Sequence, residues 1–572
     1  MNIFRYFESK FTCMLAELVE QGLLPKNLDT TRVVFELPRD ASHGDLATNA
    51  AMILAKPSQK SPRDLASVFA VEFAKIDGVT GVEIAGPGFI NLRILPILWA
   101  RQIADIVKEE TQYGRSEIGA GKHVNVEFVS ANPTGPLHAA HARGAVIGDT
   151  LASLMEFCGW DVTREYYIND AGGQVDVLAQ SAYLRYCEAL GQSIGDIPPG
   201  LYPGEYLRDV GKALAKEVGA HYLDRPEAEW IDDLRQFSIQ SIMDLIKQDL
   251  IALNINMDVF LSERLLVDSG AVQHAIDQLQ AAGHVYTGVL APPKGKEPED
   301  WEPREQLLFK ASKFGDDTDR PLQKSDGSWT YFAADVAYHL NKLERTNGQL
   351  INIFGADHGG YVKRMSAAVT ALSGQEDMLD IKLCQLVNLL DNGKPVKMSK
   401  RAGTFVTVRD VIDAVGADVI RFIMLTRRND QTLDFDFAKV TEQSRDNPVF
   451  YVQYAHARAC SVLRQGEAPD QADLALLTAD VELALLKQLA SWPKIVESAA
   501  LAHEPHRIAF YLVDLASHFH SLWNAGREDP SLRFIIEGDQ AVTYARLMLV
   551  KATSFVLWTG LDMLSISALE EM

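Results

Sequence analysis

The sequence contains few cysteines, no long apolar run and no leader-like N-terminus, and each absence excludes a class of protein. The five cysteines among 572 residues are scattered and form no Cys-x-x-Cys pair, so we expect neither a zinc site nor a disulfide framework. Reduced thiols are typical of the cytoplasm, which is the predicted location. Charged side chains interrupt every long apolar stretch, so neither a transmembrane helix nor a signal peptide is predicted.

The chain also lacks the basic excess that is common in nucleic-acid-binding proteins, since its net charge is −22. Phosphate contacts supply much of the affinity for nucleic acids, so the composition alone argues against an RNA partner. A long protein can nevertheless concentrate basic residues locally, as in KRAGTFVTVRD and LTRRND, so RNA binding stays open. A hydrophobic fraction of 47% fits a globular protein, and 572 residues predict roughly three or four domains.

Residues 123–170 predict a strand, a shaped loop, a helix and a second strand, and the rest of the chain is organised around them. The loop, SANPTGPLH, is rich in turn-forming residues, and helical spacing of apolar residues begins at about Ala139. His138 and His141 lie in the first turn, where free N–H groups and the helix dipole favour phosphate. Imidazoles can also donate hydrogen bonds to phosphate oxygens. The alternative is that one histidine caps the helix and the other packs in the core.

Two signatures point to a known family. PLHAAH resembles the H-I-G-H signature of class I aminoacyl-tRNA synthetases, and KMSKR at 397–401 matches their second signature. The segments VEFVSANPTGPLH, YYINDAGGQ, GADHGGY and GPGFINLR are similar to those of bacterial arginyl-tRNA synthetases. Both signatures occur in the expected order, and the resemblance covers essentially the whole chain.

The resemblance implies a multidomain α/β protein with a Rossmann-like parallel-sheet catalytic domain that carries a helical insertion. We expect a tRNA-contacting α+β domain at 1–115, the catalytic domain at 116–440 with its insertion at about 172–300, and an all-α anticodon-binding bundle at 441–572. Helical periodicity in every segment after 441 supports the bundle. Asn392–Gly393 predicts a hairpin, which places KMSKR on a loop just beyond a strand pair.

The implied activity is the ATP-dependent ligation of L-arginine to its cognate tRNA through an arginyl-adenylate. The arginine carboxylate would attack the α-phosphate of ATP, so catalysis would rest on positioning and charge stabilisation. The expected catalytic residues are His138 and His141, which would bind the phosphates, and Lys397 and Lys400, which would hold pyrophosphate. Mg²⁺ is expected to accompany ATP without a dedicated protein cage. The expected ATP-binding residues are Pro133, Gly135, His138, His141, Gly355, Asp357, His358, Lys397, Met398, Ser399 and Lys400.

Recognition of arginine requires a carboxylate that faces the planar guanidinium. The resemblance assigns this role to Asp335, with Tyr331 one helical turn before it, and Glu127 is a second acid in reach. The amino and carboxylate groups of arginine would be held by Ser130, Asn132 and His141, with His358 alongside. Several such pairs can reject lysine by about 10⁴–10⁵-fold without editing, which fits the absence of a recognisable editing domain.

Contacts to tRNA are expected from both ends of the chain. In the N-terminal domain the exposed candidates are Phe89 and Asn91, and their alternative role is strand core and turn. In the C-terminal helices an aromatic platform can contribute roughly 1–3 kcal/mol per stacked base, although many aromatics in such helices form core. The candidates there are Tyr451, Tyr454, His456, Arg458 and Trp523.

Three other functions are less consistent with the sequence. Another class I synthetase is disfavoured by the Tyr331–Asp335 pair and by GPGFINLR, and an H-x-x-H nucleotidylyltransferase would not require a helical bundle. An inactive RNA-binding paralogue would not need His138, His141 and KMSKR intact. The resemblance further implies that a monomer acts without an obligatory protein partner, and that adenylate formation requires tRNA.

Overall fold

The computed structural model describes residues 2–38, 40–290, 304–396, 406–442, 444 and 446–572. These residues form an N-terminal α+β region, a central region built on a parallel sheet, and a C-terminal helical bundle. The predicted fold class is confirmed by this arrangement.

The N-terminal region packs helices against a four-stranded antiparallel sheet. The helix α3 begins where Ser61 caps it and Pro62 occupies its first position. In the core the ring of Phe11 lies 5.4 Å from that of Phe69, measured between centroids. The elements are α1 (Ile3–Glu20), β1 (Phe35–Glu36), β2 (Leu46–Thr48), α2 (Ala50–Ala55), α3 (Pro62–Phe73), β3 (Val79–Ala85), β4 (Phe89–Ile94) and α4 (Pro96–Glu109), with the sheet order β1-β2-β4-β3.

The central region is built on a five-stranded, fully parallel sheet. Its elements begin with β5 (His123–Glu127), α5 (Ala139–Phe157), β6 (Asp161–Ile168), α6 (Gln174–Ala189), α7 (Tyr206–Val218), α8 (Ile231–Ala252) and β7 (Val259–Ser262). They continue with α9 (Glu263–Asp268), α10 (Ala271–Ala281), β8 (Val285–Gly288), β9 (Gln306–Phe309), β10 (Arg320–Pro321), α11 (Tyr331–Thr346), β11 (Gln349–Gly355), α12 (Val362–Ser373) and β12 (Leu379–Cys384).

The strand order β12-β11-β5-β6-β7 creates a topological switch point. From β5 the chain adds β6 and β7 on one side, and it later returns to place β11 and β12 on the other side. The loops that follow β5 and β11 therefore diverge and leave a crevice at the carboxyl edge of the sheet, where ligands of such sheets bind.

The segment predicted as a helical insertion, 172–300, is mostly helical but also contributes a strand to the central sheet. Residues Val259–Ser262 form β7, which pairs in parallel with Glu165–Ile168 of β6. The sequence DVFLS is a short apolar run, and such runs do not distinguish a strand from a buried helix.

The segments around the second signature fold as their turn chemistry predicts. Asn392 and Gly393 have φ values of 51° and 74° and join β13 (Val387–Asp391) to β14 (Lys394–Pro395), which confirms the hairpin. Asp410 and Thr407 form a capping box at the start of the next helix. The following elements are α13 (Val408–Val415), α14 (Ala417–Met424), β15 (Leu433–Asp436) and α15 (Phe437–Val440).

The C-terminal region is a bundle of α16 (Pro448–Gln465), α17 (Asp480–Ala502), α18 (His506–Glu528) and α19 (Gln540–Met563). Its buried Trp492 donates a hydrogen bond of 3.0 Å to the carbonyl of Tyr113, between the first two regions. The fully buried guanidinium of Arg421 donates to the carbonyl of Leu564 and to Asp149 on α5. Side-chain contacts therefore join the bundle to both other regions. Within the described ranges, no helix is both long and apolar enough to span a bilayer.

Candidate active site

A cavity of about 760 Å³ opens at the carboxyl ends of β5 and β11. One wall is formed by residues 130–136 after β5, and a second wall is formed by residues 355–358 after β11. The first turns of α5 contribute His141 and Gly144. Because this is the switch point of the parallel sheet, the cavity is the natural candidate for the active site.

His138 and His141 lie together at the N-terminus of α5 and line the cavity. Their rings stack with centroids 3.5 Å apart and planes inclined by 22°. The backbone N–H of His138 donates to Nδ1 of His141 over 3.2 Å, so a neutral His141 ring carries its proton on Nε2. His141 thus helps to cap the helix, as the alternative interpretation proposed, yet both rings also face the cavity. The positive end of the α5 dipole adds to a setting that favours phosphate.

The chain leaves β5 through a strained turn. Val129 and Ser130 have φ values of 70° and 39°, and a positive φ is a steric outlier for a β-branched residue. The turn is supported by a 3.1 Å hydrogen bond from the N–H of Tyr167 to the Ser130 hydroxyl. Strain of this kind persists where the surrounding structure enforces it, often at functional sites. Here the turn leads the following loop along the cavity.

The residues predicted in this loop divide into two groups. Ser130, Asn132 and Gly135 line the cavity, whereas Pro133 is buried in the loop and is not part of the lining. The side-chain amide of Asn132 donates over 3.0 Å to Gln174, which also lines the cavity and was missed by sequence reasoning.

Glu127 lies behind the loop rather than on the cavity surface. Its buried carboxylate forms a 2.8 Å ion pair with Lys342 on α11 and accepts a 3.0 Å hydrogen bond from the hydroxyl of Ser130. The charge of Glu127 is therefore already matched inside the protein, and its link to the cavity runs through Ser130.

Asp335 is half-buried on α11, and its pKa is raised from 3.8 to about 7. Burial is the main cause, and the nearby carboxylates of Glu263 and Glu127 act in the same direction. The hydroxyl of Tyr361 donates a hydrogen bond to Oδ2 of Asp335 and opposes the rise. A desolvated carboxylate beside other acids gains strongly from a cationic ligand, because the cation restores the charged form.

Beside Asp335 the structure holds two buried polar atoms that have no hydrogen-bond partner among the described residues: Glu263 Oε2 and Tyr167 Oη. The ring of Tyr167 stacks on that of Tyr338, with centroids 4.1 Å apart. Burial, followed by the charges of Glu263 and Asp335, raises the pKa of Tyr167. Buried polar groups are normally satisfied, so this cluster suits a site that receives a polar ligand. Sequence reasoning missed Glu263 and Tyr167, although an acid directly after a parallel strand, as Glu263 is after β7, was an available signal.

Tyr331 lies at the first position of α11, one turn before Asp335, as predicted. It is 66% exposed. Its hydroxyl approaches Gly172, where a Cβ would lie 3.8 Å away, so the tyrosine stands beside the YYINDAGGQ segment.

The predicted residues after β11 line the opposite wall of the cavity. Gly355, Asp357 and His358 all contribute, and Nε2 of His358 lies 3.8 Å from Oδ2 of Asp357. Gly355 leaves room for this arrangement, since a Cβ there would approach Oδ1 of Asp357 to 2.5 Å. Both exposed side chains are accessible to a ligand in the cavity.

Lys397, Met398, Ser399 and Lys400 of the second signature lie outside the described residues. The chain that follows is hydrogen-bonded to the first signature. The N–H of Ala139 donates to the carbonyl of Val406 over 3.0 Å, and the N–H of Val408 donates to the carbonyl of Leu137 over 2.8 Å. These bonds bring residues 406–408 next to His138.

A segment of the helical insertion, residues 202–206, forms a third wall that sequence reasoning missed. The hydroxyl of Tyr206 donates to the carbonyl of Thr134 over 2.7 Å and lies close to Gly135, where a Cβ would approach it to 3.1 Å. The segment YPGEY contains turn-forming residues and two tyrosines. The sequence does not show that it contacts the loop after β5, because that loop is distant along the chain.

Four of the five C-terminal candidates form one cluster. The guanidinium of Arg458 lies 4.3 Å from the ring centroid of Tyr454 and 4.5 Å from that of Trp523. It also contacts Nδ1 of His520 at 3.0 Å, and the ring of Tyr451 lies 4.6 Å from that of His520. A second cavity of about 380 Å³ adjoins Trp523. His520 was missed, although it lies near the predicted Trp523 on α18.

Two candidates for tRNA contact are buried, and of these Asn91 was predicted to be exposed. His456 is buried and its Nδ1 bonds to the carbonyl of Leu569 at 2.9 Å, because it lies on the opposite side of α16 from the cluster. Asn91 is buried in β4, between β2 and β3, whereas Phe89 at the start of the same strand is 38% exposed.

Within the described part of the chain, no three His, Cys, Asp or Glu side chains are grouped to hold a metal ion.

Three known families match consecutive parts of the chain. Residues 6–94 match the arginyl tRNA synthetase N terminal domain, and residues 102–443 match the catalytic domain of class I (R) tRNA synthetases. Residues 452–572 match the DALR anticodon binding domain.

The chain is also similar to whole proteins. It is 55% identical to an arginine–tRNA ligase of Roseobacter denitrificans and to one of Ruegeria pomeroyi, with 100% of both chains covered in each case. The solved arginyl-tRNA synthetase of Thermus thermophilus has the same fold, with a TM-score of 0.73, 21% identity and 100% coverage of both chains.

Proposed function

The chain belongs to the class I arginyl-tRNA synthetases, and we propose that it ligates L-arginine to its cognate tRNA in the crevice between β5 and β11. In the first step the carboxylate of arginine attacks the α-phosphate of ATP, and pyrophosphate leaves. In the second step a hydroxyl at the 3′ end of the tRNA attacks the adenylate carbonyl, and AMP leaves. Neither step needs a covalent enzyme intermediate, so the side chains act by positioning and by stabilising charge.

ATP binds with its phosphates at the N-terminus of α5. The stacked rings of His138 and His141 and the dipole of the helix support this assignment. Gly355, Asp357 and His358 form the facing wall. Gly135 and Pro136 line the cavity from the loop between β5 and α5. Loss of one donor to the developing charge should cost about 3–4 kcal/mol of transition-state stabilisation. The roles of Lys397 and Lys400 stay predictions from the sequence.

Arginine binds with its guanidinium at Asp335. The raised pKa of Asp335 and the unpartnered oxygen of Glu263 support this assignment, because a guanidinium supplies charge and five N–H donors together. Tyr331 borders this end of the pocket. At the other end Ser130, Asn132 and His141 hold the amino and carboxylate groups, since their positions on the cavity wall are next to the proposed phosphate site.

Mg²⁺ accompanies ATP and supplies charge neutralisation to the phosphates. In this proposal the cation is held mainly by phosphate oxygens and water. Asp357, an exposed carboxylate on the cavity wall, is the side chain best placed to approach such a cation.

The tRNA contacts both the C-terminal bundle and the N-terminal region. The Tyr454–Arg458–Trp523 cluster of the bundle stacks on anticodon bases, and Phe89 contacts the tRNA from the N-terminal region. The active form is a single chain in the cytoplasm, which suits its five free cysteines. Light scattering of the purified protein tests the monomer.

The observation that carries the proposal is the desolvated acidic pair of Asp335 and Glu263, which lies next to Tyr167, whose N–H donates to Ser130 on the cavity wall. The test is exchange of labelled pyrophosphate into ATP with arginine or lysine, with and without the cognate tRNA. We expect exchange only with arginine and only when tRNA is present. Asp335→Ala should abolish it, whereas Glu344→Ala, at an exposed position of the same helix, should leave it intact. Normal exchange in Asp335→Ala would refute the assignment of the pocket.

A further inference from the structure

One side of α11 carries Asp335, His339 and Lys342, whose spacing of four and three residues places them on the same side of a helix. This helix packs on β5 and β11. The side chain of Lys342 is 0% exposed, and lysine is almost never fully buried unless its charge is paired. The role of this lysine is not explained by the proposed contacts to arginine or ATP.

Lys342 joins three elements of the central region. Its Nζ lies 2.8 Å from Oε2 of Glu127 on β5 and 2.7 Å from Oδ1 of Asn352 on β11. It also lies 5.0 Å from the ring centroid of Tyr338 on its own helix. The ammonium therefore has a charged, a polar and an aromatic partner in a site without exposed surface.

The contact with Asn352 fixes a chain of hydrogen bonds that ends at Asp335. Lysine only donates, so Oδ1 of Asn352 faces Lys342 and its Nδ2 faces Nε2 of His339, at 3.0 Å. A neutral His339 then carries its proton on Nδ1, which lies 2.8 Å from the backbone carbonyl of Asp335. Burial and the charge of Lys342 lower the pKa of His339 to about 3, which keeps the ring neutral.

The contact with Glu127 leads to the other end of the proposed arginine site. Glu127 accepts a 3.0 Å hydrogen bond from the hydroxyl of Ser130, and that hydroxyl accepts a 3.1 Å hydrogen bond from the N–H of Tyr167. These bonds hold the strained turn in which Ser130 faces the cavity.

We propose that Lys342 is a positioning residue that sets the distance between Ser130 and the Asp335 turn, and thereby between the groups that receive the two ends of arginine. The inference rests on the proposed function and deepens it. It also changes the role of Glu127, whose charge is compensated by Lys342. Glu127 supports Ser130, and Asp335 and Glu263 remain as the acids that face the guanidinium.

The first test is Lys342→Met, which keeps the length of the side chain and removes its charge. We expect the KM for arginine to rise about tenfold or more while the KM for ATP stays within about twofold, because a displacement of about 1 Å is costly only for the substrate that is displaced. The variant also leaves the buried carboxylate of Glu127 without its counter-charge, and a buried charge without a partner is strongly disfavoured. The kcat/KM for arginine should therefore gain a pH-dependent component beyond the one that Asp335 gives the wild type.

Arg345→Met is the matched control. Arg345 lies on the same helix and pairs over 2.8 Å with the buried Glu165 of β6, and neither residue lines the cavity or is proposed to hold arginine. This variant should lower Tm without a selective rise in the KM for arginine. The double variant Lys342→Met/Glu127→Gln removes both charges, keeps an acceptor for Ser130, and should abolish the added pH dependence.

The outcomes separate the positioning role from a structural one. Equal changes in Tm and in both KM values for Lys342→Met and Arg345→Met would overturn the inference. An added pH dependence that persists in the double variant would also overturn the inference. If Lys342→Met does not fold, the double variant is used for the comparison with Arg345→Met. Absence of arginine-dependent exchange in the wild type, with tRNA present, would instead overturn the proposed function itself.

Discussion

Replacement of Asp335 by asparagine should remove the activity and at the same time stabilise the protein at alkaline pH. Asparagine keeps an acceptor for the hydroxyl of Tyr361 but cannot ionise. The pKa of Asp335 is raised from 3.8 to about 7, mainly by burial, so the folded protein disfavours the carboxylate. The stability associated with the protonated form is fully present below pH 3.8 and is lost as the pH rises through about 7.

The size of the effect follows from the two pKa values. One pKa unit corresponds to about 1.4 kcal/mol, so the complete loss is at most about 4 kcal/mol, most of it between about pH 5 and 8. The free energy of unfolding of Asp335→Asn, relative to the wild type, should therefore increase by up to about 3 kcal/mol from pH 5 to pH 8.

The assay compares urea unfolding of both proteins at pH 5 and pH 8, together with arginine-dependent pyrophosphate exchange at pH 8. The difference between the two proteins isolates Asp335, because all other titrating groups are shared. A stability difference that does not change with pH would refute the reasoning about burial. Retained exchange in the variant would refute the role of Asp335 in arginine binding.

Three further outcomes follow from the same structure. Glu263→Gln should raise the KM for arginine more than that for ATP, as measured by exchange kinetics, because it removes a carboxylate that has an unpartnered oxygen and acts on Asp335. Tyr206→Phe removes the hydrogen bond to the carbonyl of Thr134 and should cost about 0.5–1.5 kcal/mol, seen as a several-fold higher KM for ATP. Arg458→Ala should weaken tRNA binding in a filter assay and leave the KM for ATP unchanged, because Arg458 orders the stacking cluster far along the chain from the cavity residues.

The burial of His456 is consistent with its position in the helical periodicity of α16. Tyr451, Tyr454 and Arg458 are spaced by three and four residues and share one face of α16, whereas His456 falls on another face. Helical periodicity alone could have separated it from the cluster. Asn91 is different, because its burial depends on neighbouring strands on both sides of β4.

The sequence by itself determined the local architecture around the active site. Local sequence patterns predict the strand that ends at Glu127, the loop SANPTGPLH, the helix that begins at Ala139 and the hairpin at Asn392–Gly393. Strand and helix periodicity and turn preferences depend on residues that are close along the chain. They can therefore be recognised without knowledge of the tertiary structure. The two signatures then indicated the family from the amino-acid sequence alone.

Only the tertiary structure decided which charges meet. Lys342 pairs with Glu127, which is 215 residues away along the chain. The charge of Glu127, a residue predicted to bind arginine, is therefore compensated by a buried lysine of the protein. The same packing leaves Asp335 and Glu263, from different elements, as neighbouring acids with a raised pKa. The pKa of a carboxyl depends on burial and on charges brought close by the fold, and neither quantity is written in the local pattern of the sequence.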